Sequence, residues 1–303
     1  MSIQAKATSV TTFIESTPCT LCGETKNTPY RYEQFSLPNG VADLGHNRCV
    51  SCEMRYVSPR LNDEGRTYLY DECYDTATVS GRYNVDDSVS GHEYDSFEKY
   101  VRKSHPRGGK FLDVGCGVGM LLARFTNDKA FKFEGVEYSH HAADEARTRA
   151  DVVHVGNIEE LGLESNSYDG LTSMYVLEHV AEPLQVLEEI YRLCKPGGTV
   201  FLAVPNYRYL RIRSDNPVVR FATRGSATLH AAEHLHNFTP ETFETAVARA
   251  GFSNIDIEFT EPLIVGSTAT RALKQIARLP AAMLASAGYG LGGIHLTATK
   301  PRS

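Results

Sequence analysis

The sequence predicts an α/β protein: a doubly wound, seven-stranded, mostly parallel sheet, with a small cysteine-bearing module ahead of it. Three observations carry that expectation. Beyond Lys110, short apolar runs alternate with amphipathic stretches, which is how strands joined by crossover helices are written. The first of those runs leads straight into a glycine-rich turn, Gly115-Cys116-Gly117-Val118-Gly119. Upstream, two Cys-x-x-Cys pairs stand in a segment with no long apolar periodicity of its own.

Residues 1–60 are expected to form the small module, with Pro38, Asn39 and Gly40 marking a turn between the cysteine pairs. Cys19-Thr20-Leu21-Cys22 and Cys49-Val50-Ser51-Cys52 bring four thiolates within reach of one tetrahedral Zn²⁺. The interval between the pairs exceeds the roughly 15–20 residues usual for such sites, but a longer loop adds little closure entropy. Four protein ligands leave no open coordination position, so this zinc would be structural and would supply folding energy to a segment too small to fold alone. A redox pair or unliganded thiols are the alternatives. The start, MSIQAKATSVTTFIES, has no basic stretch followed by a long apolar run, so neither a secretory leader nor a membrane span is expected, and the placement expected is cytoplasmic. Seven cysteines in such a chain argue for metal binding rather than a disulfide scaffold.

Residues 61–105, rich in tyrosine and acidic side chains, are expected to form a connector packed on the main domain. Ser96 to Ser104 reads as a helix running into Pro106, Gly108 and Gly109. The main domain then covers residues 106–303. Its candidate strands are Lys110 to Val114, Lys132 to Glu137, Val152 to Val155, Gly170 to Met174, Thr199 to Val204, Ile255 to Phe259 and Ile294 to Thr299. Leu184, Leu187, Ile190, Tyr191 and Cys194 recur at helical spacing, with Pro183 in a first-turn position and Pro196-Gly197-Gly198 as the stop. The Ala- and Gly-rich stretch Leu279 to Leu296 is broken by four glycines and is expected to be a packed helix, loop and strand rather than a span. A formal charge of -6 offers nucleic acid no global attraction.

The glycine turn carries the chemistry. Glycines there let backbone approach a ligand where a Cβ would collide. Asp113, just before the first glycine, could receive a cationic amino group and would repel a pyrophosphate, which favours an amino-acid-bearing cofactor over a dinucleotide. Glu137 ends the next apolar run, at the offset where an acid holds ribose hydroxyls, and Asn157 after the third strand offers an amide to an adenine edge.

With these residues in view, 110–206 resembles a class I S-adenosylmethionine-dependent methyltransferase with a Rossmann-like fold. The matching stretches are Leu112 to Gly119, Gly135-Val136-Glu137-Tyr138-Ser139, Tyr175-Val176-Leu177-Glu178-His179-Val180 and Leu193-Cys194-Lys195-Pro196-Gly197-Gly198. The resemblance implies that Asp113, Gly115, Gly117 and Gly119 hold the methionine part of the cofactor and Glu137 its ribose, with Tyr138, Asn157, Ile158 and Met174 as further cofactor contacts. The family commonly has Asp where Asn157 stands. Glu233 to Pro240, followed by Ala250-Gly251-Phe252, resembles the late region of small-molecule methyltransferases. Residues 17–74 are similar to the zinc-ribbon leader of some bacterial sugar and polysaccharide methyltransferases, including sugar C-methyltransferases, although this chain is too short to hold the extra C-terminal domain usual in the latter.

Methyl transfer needs positioning and, for an oxygen acceptor, a base. His179, at the carboxyl edge after the fourth strand, is the expected base, with Glu178 orienting it or capping a helix. His234 and His236 are rival bases, His236 standing beside His179 in the expected catalytic set, or join Glu178 and His179 in a divalent-metal site that the resemblance allows. Arg208, Arg211, Arg213, Arg220 and Arg224 could clamp a phosphate or carboxylate of the acceptor, or simply be a solvated basic face. The expected partner is a small-molecule acceptor: a sugar, a nucleotide-linked sugar, a glycan precursor or a secondary metabolite, methylated on a hydroxyl. An RNA methyltransferase gripping its substrate with the zinc ribbon, and a non-catalytic scaffold, are the rival classes.

Overall fold

The computed structural model describes residues 12–69, 87–150, 152–215, 229–260 and 293–302. Its N-terminal part opens with β1 (Ile14–Glu15), β2 (Asn27–Leu37), β3 (Gly40–Cys49), β4 (Arg55–Val57), β5 (Arg60–Leu61) and α1 (Asp63–Tyr68). β2 and β3 form an antiparallel hairpin across the Pro38-Asn39 turn. β3 pairs with β4, and β4 pairs with a short strand far along the chain, β11 (His236–Asn237), which completes a four-stranded sheet. Asn62 caps α1 by accepting the Gly65 N–H.

The main sheet begins after α2 (Asp87–Ser104) and contains β6 (Gly109–Val114), β7 (Phe131–Glu137), β8 (Val152–Val155), β9 (Tyr168–Met174), β10 (Cys194–Pro205), β12 (Ser253–Phe259) and β13 (Gly293–Thr299). Its order is β12-β13-β10-β9-β6-β7-β8. β6 to β10 run parallel, whereas β13 is antiparallel to both β10 and β12. The sequence pattern places all seven strands within a few residues, and apolar runs alone do not fix the reversed direction of β13. The order reverses between β6 and β9, because β7 lies on one side of β6 and β9 on the other. Ligands of open α/β sheets bind at the carboxyl ends of strands flanking such a switch point.

α3 (His140–Ala146), α4 (Pro183–Leu193), α5 (Tyr207–Asp215) and α6 (Pro240–Arg249) complete the described helices. α4 buries Val186, Leu187, Ile190 and Leu193 behind Pro183, while Leu184 and Tyr191 pack at the margin of the same core. The helix ends at Cys194, where β10 starts five residues ahead of the expected Thr199 and passes an irregularity before Thr199 regains register with Gly170. α2 is longer than its sequence signal and packs through Phe97 and Val101 against Phe111 and its neighbours, with the Phe97 and Phe201 rings edge-on at 4.9 Å.

One core spans both parts of the chain. Cys19, Leu21, Cys49, Met54 and Tyr56 belong to the same buried cluster as Phe238, Phe243 and Val247 around α6. Arg249 donates to the Leu21 carbonyl, and Arg60 donates to the Ala181 carbonyl at 2.8 Å. The N-terminal sheet is therefore packed into the main body and shares its apolar burial. Among the described residues no helix is long and apolar enough to cross a membrane. Of the Leu279 to Leu296 stretch only the strand is described; residues 279–292 lie outside the described residues.

Candidate active site

The glycine turn lies between β6 and the short 3₁₀ turn at Leu122. Gly115, Gly117 and Gly119 all have positive φ, at 76°, 53° and 82°. A Cβ on Gly115 would fall 2.2 Å from Val176 Cγ2, so the segment that follows β9 leaves no room for any side chain there. The Gly115 and Cys116 N–H groups both donate to the Val136 carbonyl, which locks the turn onto β7.

Asp113 is buried and pairs in register with Thr172 on β9, whose hydroxyl donates to Asp113 Oδ1 at 2.5 Å. Burial, helped by the nearby Glu137 charge and opposed by Thr172, pushes the Asp113 carboxyl up to about 7. Glu137 closes β7, and its two carboxylate oxygens accept the Gly117 and Ser139 N–H groups, each at 2.9 Å. Burial raises its carboxyl despite those bonds. Tyr138 beside it is 66% exposed. Asn157 precedes the 3₁₀ turn Ile158–Glu160 without capping it through its side chain, and Ile158 is buried beneath. Met174 is half-buried at the end of β9. Each expected cofactor residue thus lies at the carboxyl end of β6, β7, β8 or β9, or in the segment just after it, along the switch-point edge. Thr172 is the addition, and only the β6–β9 register reveals it.

Past β9, Tyr175 takes a positive φ of 57° and its hydroxyl donates to Glu93 Oε1 at 2.6 Å. Glu178 and His179 follow. His179 Nδ1 lies 3.0 Å from the Glu233 carbonyl, so this nitrogen must carry the proton and Nε2 is left as the basic nitrogen of the neutral ring. The His179 and His234 rings meet edge-on at 4.8 Å. Ligand atoms of Glu178, His179 and His234 lie within 4.8 Å of one another. Glu178 is buried, burial pushes its carboxyl up to about 8, and its Oε2 has no hydrogen-bond partner among the described residues.

His236 is a correction to the sequence reading. Its ring turns away from the cluster into the seam with the N-terminal sheet, where Nε2 sits 2.8 Å from Thr20 Oγ1. It is 1% exposed, and burial together with the Arg60 charge lowers its imidazolium to about 3. A ring so enclosed holds the seam rather than receives a proton from an acceptor. Arg208 and Arg211 are ion-paired with Glu241 at 2.7 Å and Asp215 at 3.2 Å, as on a solvated face. The Arg213 side chain, Arg220 and Arg224 lie outside the described residues.

Cys19, Cys22, Cys49 and Cys52 converge, with sulfur atoms within 4.8 Å of one another. The Cys19–Cys52 and Cys22–Cys49 sulfur distances are both 3.5 Å. A disulfide requires about 2.05 Å, whereas four sulfurs about 2.3 Å from one ion stand roughly 3.8 Å apart. The set has the dimensions of a four-thiolate metal site.

A sheet of this order, with an acid-glycine turn on its first strand and an acid ending its second, defines a class I S-adenosylmethionine-dependent methyltransferase domain. Residues 91–257, more than half of the chain, match the family described as "Methyltransferase domain", and the chain belongs to that family. It is 33% identical over 138 residues to a probable S-adenosylmethionine-dependent methyltransferase of Mycolicibacterium smegmatis, covering 44% of this chain and 52% of that one. It is 30% identical over 146 residues to the ubiquinone biosynthesis O-methyltransferase of Neisseria meningitidis, covering 45% and 55%. The chain spans about half the length of the curated relatives it matches. Among solved structures, the plantazolicin methyltransferase superposes with a TM-score of 0.56 at 15% identity, over 78% of this chain and 94% of that one. Phosphoethanolamine N-methyltransferase 2 of Haemonchus contortus gives 0.53 at 16%, over 89% and 71%. These likenesses show the shared fold.

Proposed function

We propose that the chain transfers a methyl group from S-adenosylmethionine to a hydroxyl of a small molecule, a sugar, glycan precursor or secondary metabolite, with His179 as the base. The observation that carries the reading is the 3.0 Å contact between His179 Nδ1 and the Glu233 carbonyl: an oxygen that can only accept calls for a proton on Nδ1, which leaves Nε2 as the basic nitrogen at the edge beyond β9. S-adenosylmethionine, when bound, supplies an electrophilic methyl. Asp113 would hold its amino group, the glycine turn its carboxylate end, Glu137 its ribose, and Tyr138, Asn157, Ile158 and Met174 its base. His179 then takes the hydroxyl proton as the acceptor oxygen attacks, and Oε1 of the buried Glu178 carboxyl stands 3.8 Å from the same Nε2. The similarity of the N-terminal part to the leader of bacterial sugar and polysaccharide methyltransferases favours a sugar-like acceptor. The O-methyltransferase relative from Neisseria meningitidis agrees with oxygen as the methylated atom. A screen of hydroxylated acceptors with methyl-labelled cofactor, comparing wild type with His179→Ala, tests this: loss of turnover with retained cofactor binding supports the base, and unchanged turnover excludes it.

The four cysteines we assign to a structural Zn²⁺, whose fit rests on the sulfur distances above. A second reading of the catalytic cluster has one specific observation in its favour, the grouping of ligand atoms of Glu178, His179 and His234 within 4.8 Å of one another, with Glu178 Oε2 lacking a hydrogen-bond partner among the described residues: a divalent cation held by these three that would polarise the acceptor oxygen. Manganese titration of chelator-treated protein separates the two, because a site lost in Glu178→Gln supports the cation and no binding leaves the base.

A further inference from the structure

Glu33 links the N-terminal hairpin to the turn that precedes Glu233 and His234. Glu33 on β2 accepts the Leu229 N–H at 2.6 Å on Oε1 and the Ala231 N–H at 3.0 Å on Oε2. The residue between those two donors, His230, sits at φ 60°, a left-handed conformation that costs a Cβ-bearing residue about 1–2 kcal/mol. The twist at His230 separates two amides that both point at one carboxylate, and each bond is charge-assisted. Behind the carboxylate stand Arg31, 3.5 Å away, and the His46 ring, 3.6 Å away. Although burial opposes ionisation, the His46 ring and the two amides lower the Glu33 carboxyl to about 2, so it is charged at any working pH.

The turn that Glu33 grips leads directly to the catalytic histidines. The His230 carbonyl accepts the Glu233 and His234 N–H groups at 2.9 and 2.7 Å. The Glu233 carbonyl accepts His179 Nδ1–H, and the His234 ring rests on His179. From Glu33 to His179 there are thus three hydrogen bonds joined by short stretches of backbone, the first of them linking residues 196 apart in sequence.

We propose that Glu33 is a positioning residue for methyl transfer: by clamping the Leu229–Ala231 amides it fixes the turn whose carbonyl sets the His179 tautomer and whose side chain buttresses the ring. The N-terminal module is then a working part of the acceptor site, and the hairpin that leads into Cys49 ties the cysteine cluster to the histidine pair. The inference rests on the proposed reading that His179 is the base.

The test does not need the acceptor. Ring-¹⁵N-labelled histidine spectra, assigned with His179→Gln and His234→Gln, report which nitrogen of His179 carries the proton. Wild type should show the Nδ1–H form. In Glu33→Gln, whose carboxamide offers an acceptor to one amide and a donor to the other, that signal should be lost to a mixture of tautomers, while S-adenosylmethionine affinity by calorimetry stays within about twofold. A purely structural Glu33 would lower the melting temperature and leave the His179 signal unchanged, which would overturn the proposal. Hydrogen exchange on the unmodified protein covers a variant that fails to fold: Leu229 and Ala231 amides should be protected by about tenfold or more per bond, and unprotected exchange at both also overturns it. Absent cofactor binding in wild type would refute the methyltransferase reading, whereas a normal tautomer in Glu33→Gln would refute the clamp alone.

Discussion

Replacing Gly115 by alanine should damage both stability and cofactor binding, and the structure sets the size of the loss. The added Cβ meets Val176 Cγ2 at 2.2 Å on a backbone at φ 76°. Left-handed backbone costs a residue with a Cβ about 1–2 kcal/mol, and pressing a methyl into close-packed neighbours costs about 1–3 kcal/mol. The turn cannot swing clear, because the Gly115 and Cys116 amides share the Val136 carbonyl at 2.8 and 2.9 Å. Urea unfolding of Gly115→Ala near neutral pH should therefore show a loss of about 2–5 kcal/mol, the sum of those two ranges. Adding Val176→Ala removes the steric share and should recover all but the backbone cost of about 1–2 kcal/mol. A Gly115→Ala protein within about 0.5 kcal/mol of wild type, or one that binds S-adenosylmethionine normally, would refute the reasoning.

Asp113 supplies a pH prediction. Its carboxyl is raised from 3.8 to about 7 in the folded protein, so ionisation costs the ligand-free fold nothing below about pH 4 and its full amount above about pH 7. Stability should fall as pH rises across that window, and Asp113→Asn should melt higher than wild type above neutrality while losing the cofactor. Because a cationic amino group favours the ionised carboxyl, S-adenosylmethionine affinity should rise from about pH 5 to about pH 7 and then level, with protons released on binding; calorimetry in buffers of different ionisation enthalpy checks both. Metal analysis should find about one zinc per chain bound by the four thiolates, and chelation or Cys52→Ser should lower the melting temperature and reduce protection around α6, which shares a core with the cysteines. Phe97→Ala should cost about 3–5 kcal/mol by emptying the α2 contact with Phe201 while leaving zinc content unchanged.

What could be read from the sequence was what is local. Asp113, the three glycines and Glu137 follow directly on apolar runs, so their place at strand ends is legible in the sequence. The two Cys-x-x-Cys knuckles were equally visible, since each pair is set by its own turn. What escaped was long-range. Nothing near His236 announces that it joins β4 and turns its ring to Thr20, more than 200 residues away, so its type and its neighbour His234 made it look catalytic. Glu33 reads as one more charge on a half-exposed strand, because the amides it serves belong to backbone distant in sequence. Thr172 is similar: the β6–β9 register alone puts its hydroxyl on Asp113. The reversed β13 went unread because apolar alternation is the same in either direction.

Isothermal titration of the purified wild-type chain with S-adenosylmethionine bears most directly on the account. Saturable one-to-one binding, abolished in Asp113→Ala and Glu137→Ala variants that keep the wild-type circular dichroism, is the predicted result. Folded wild-type protein that shows neither heat nor a shift in melting temperature with the ligand would contradict it.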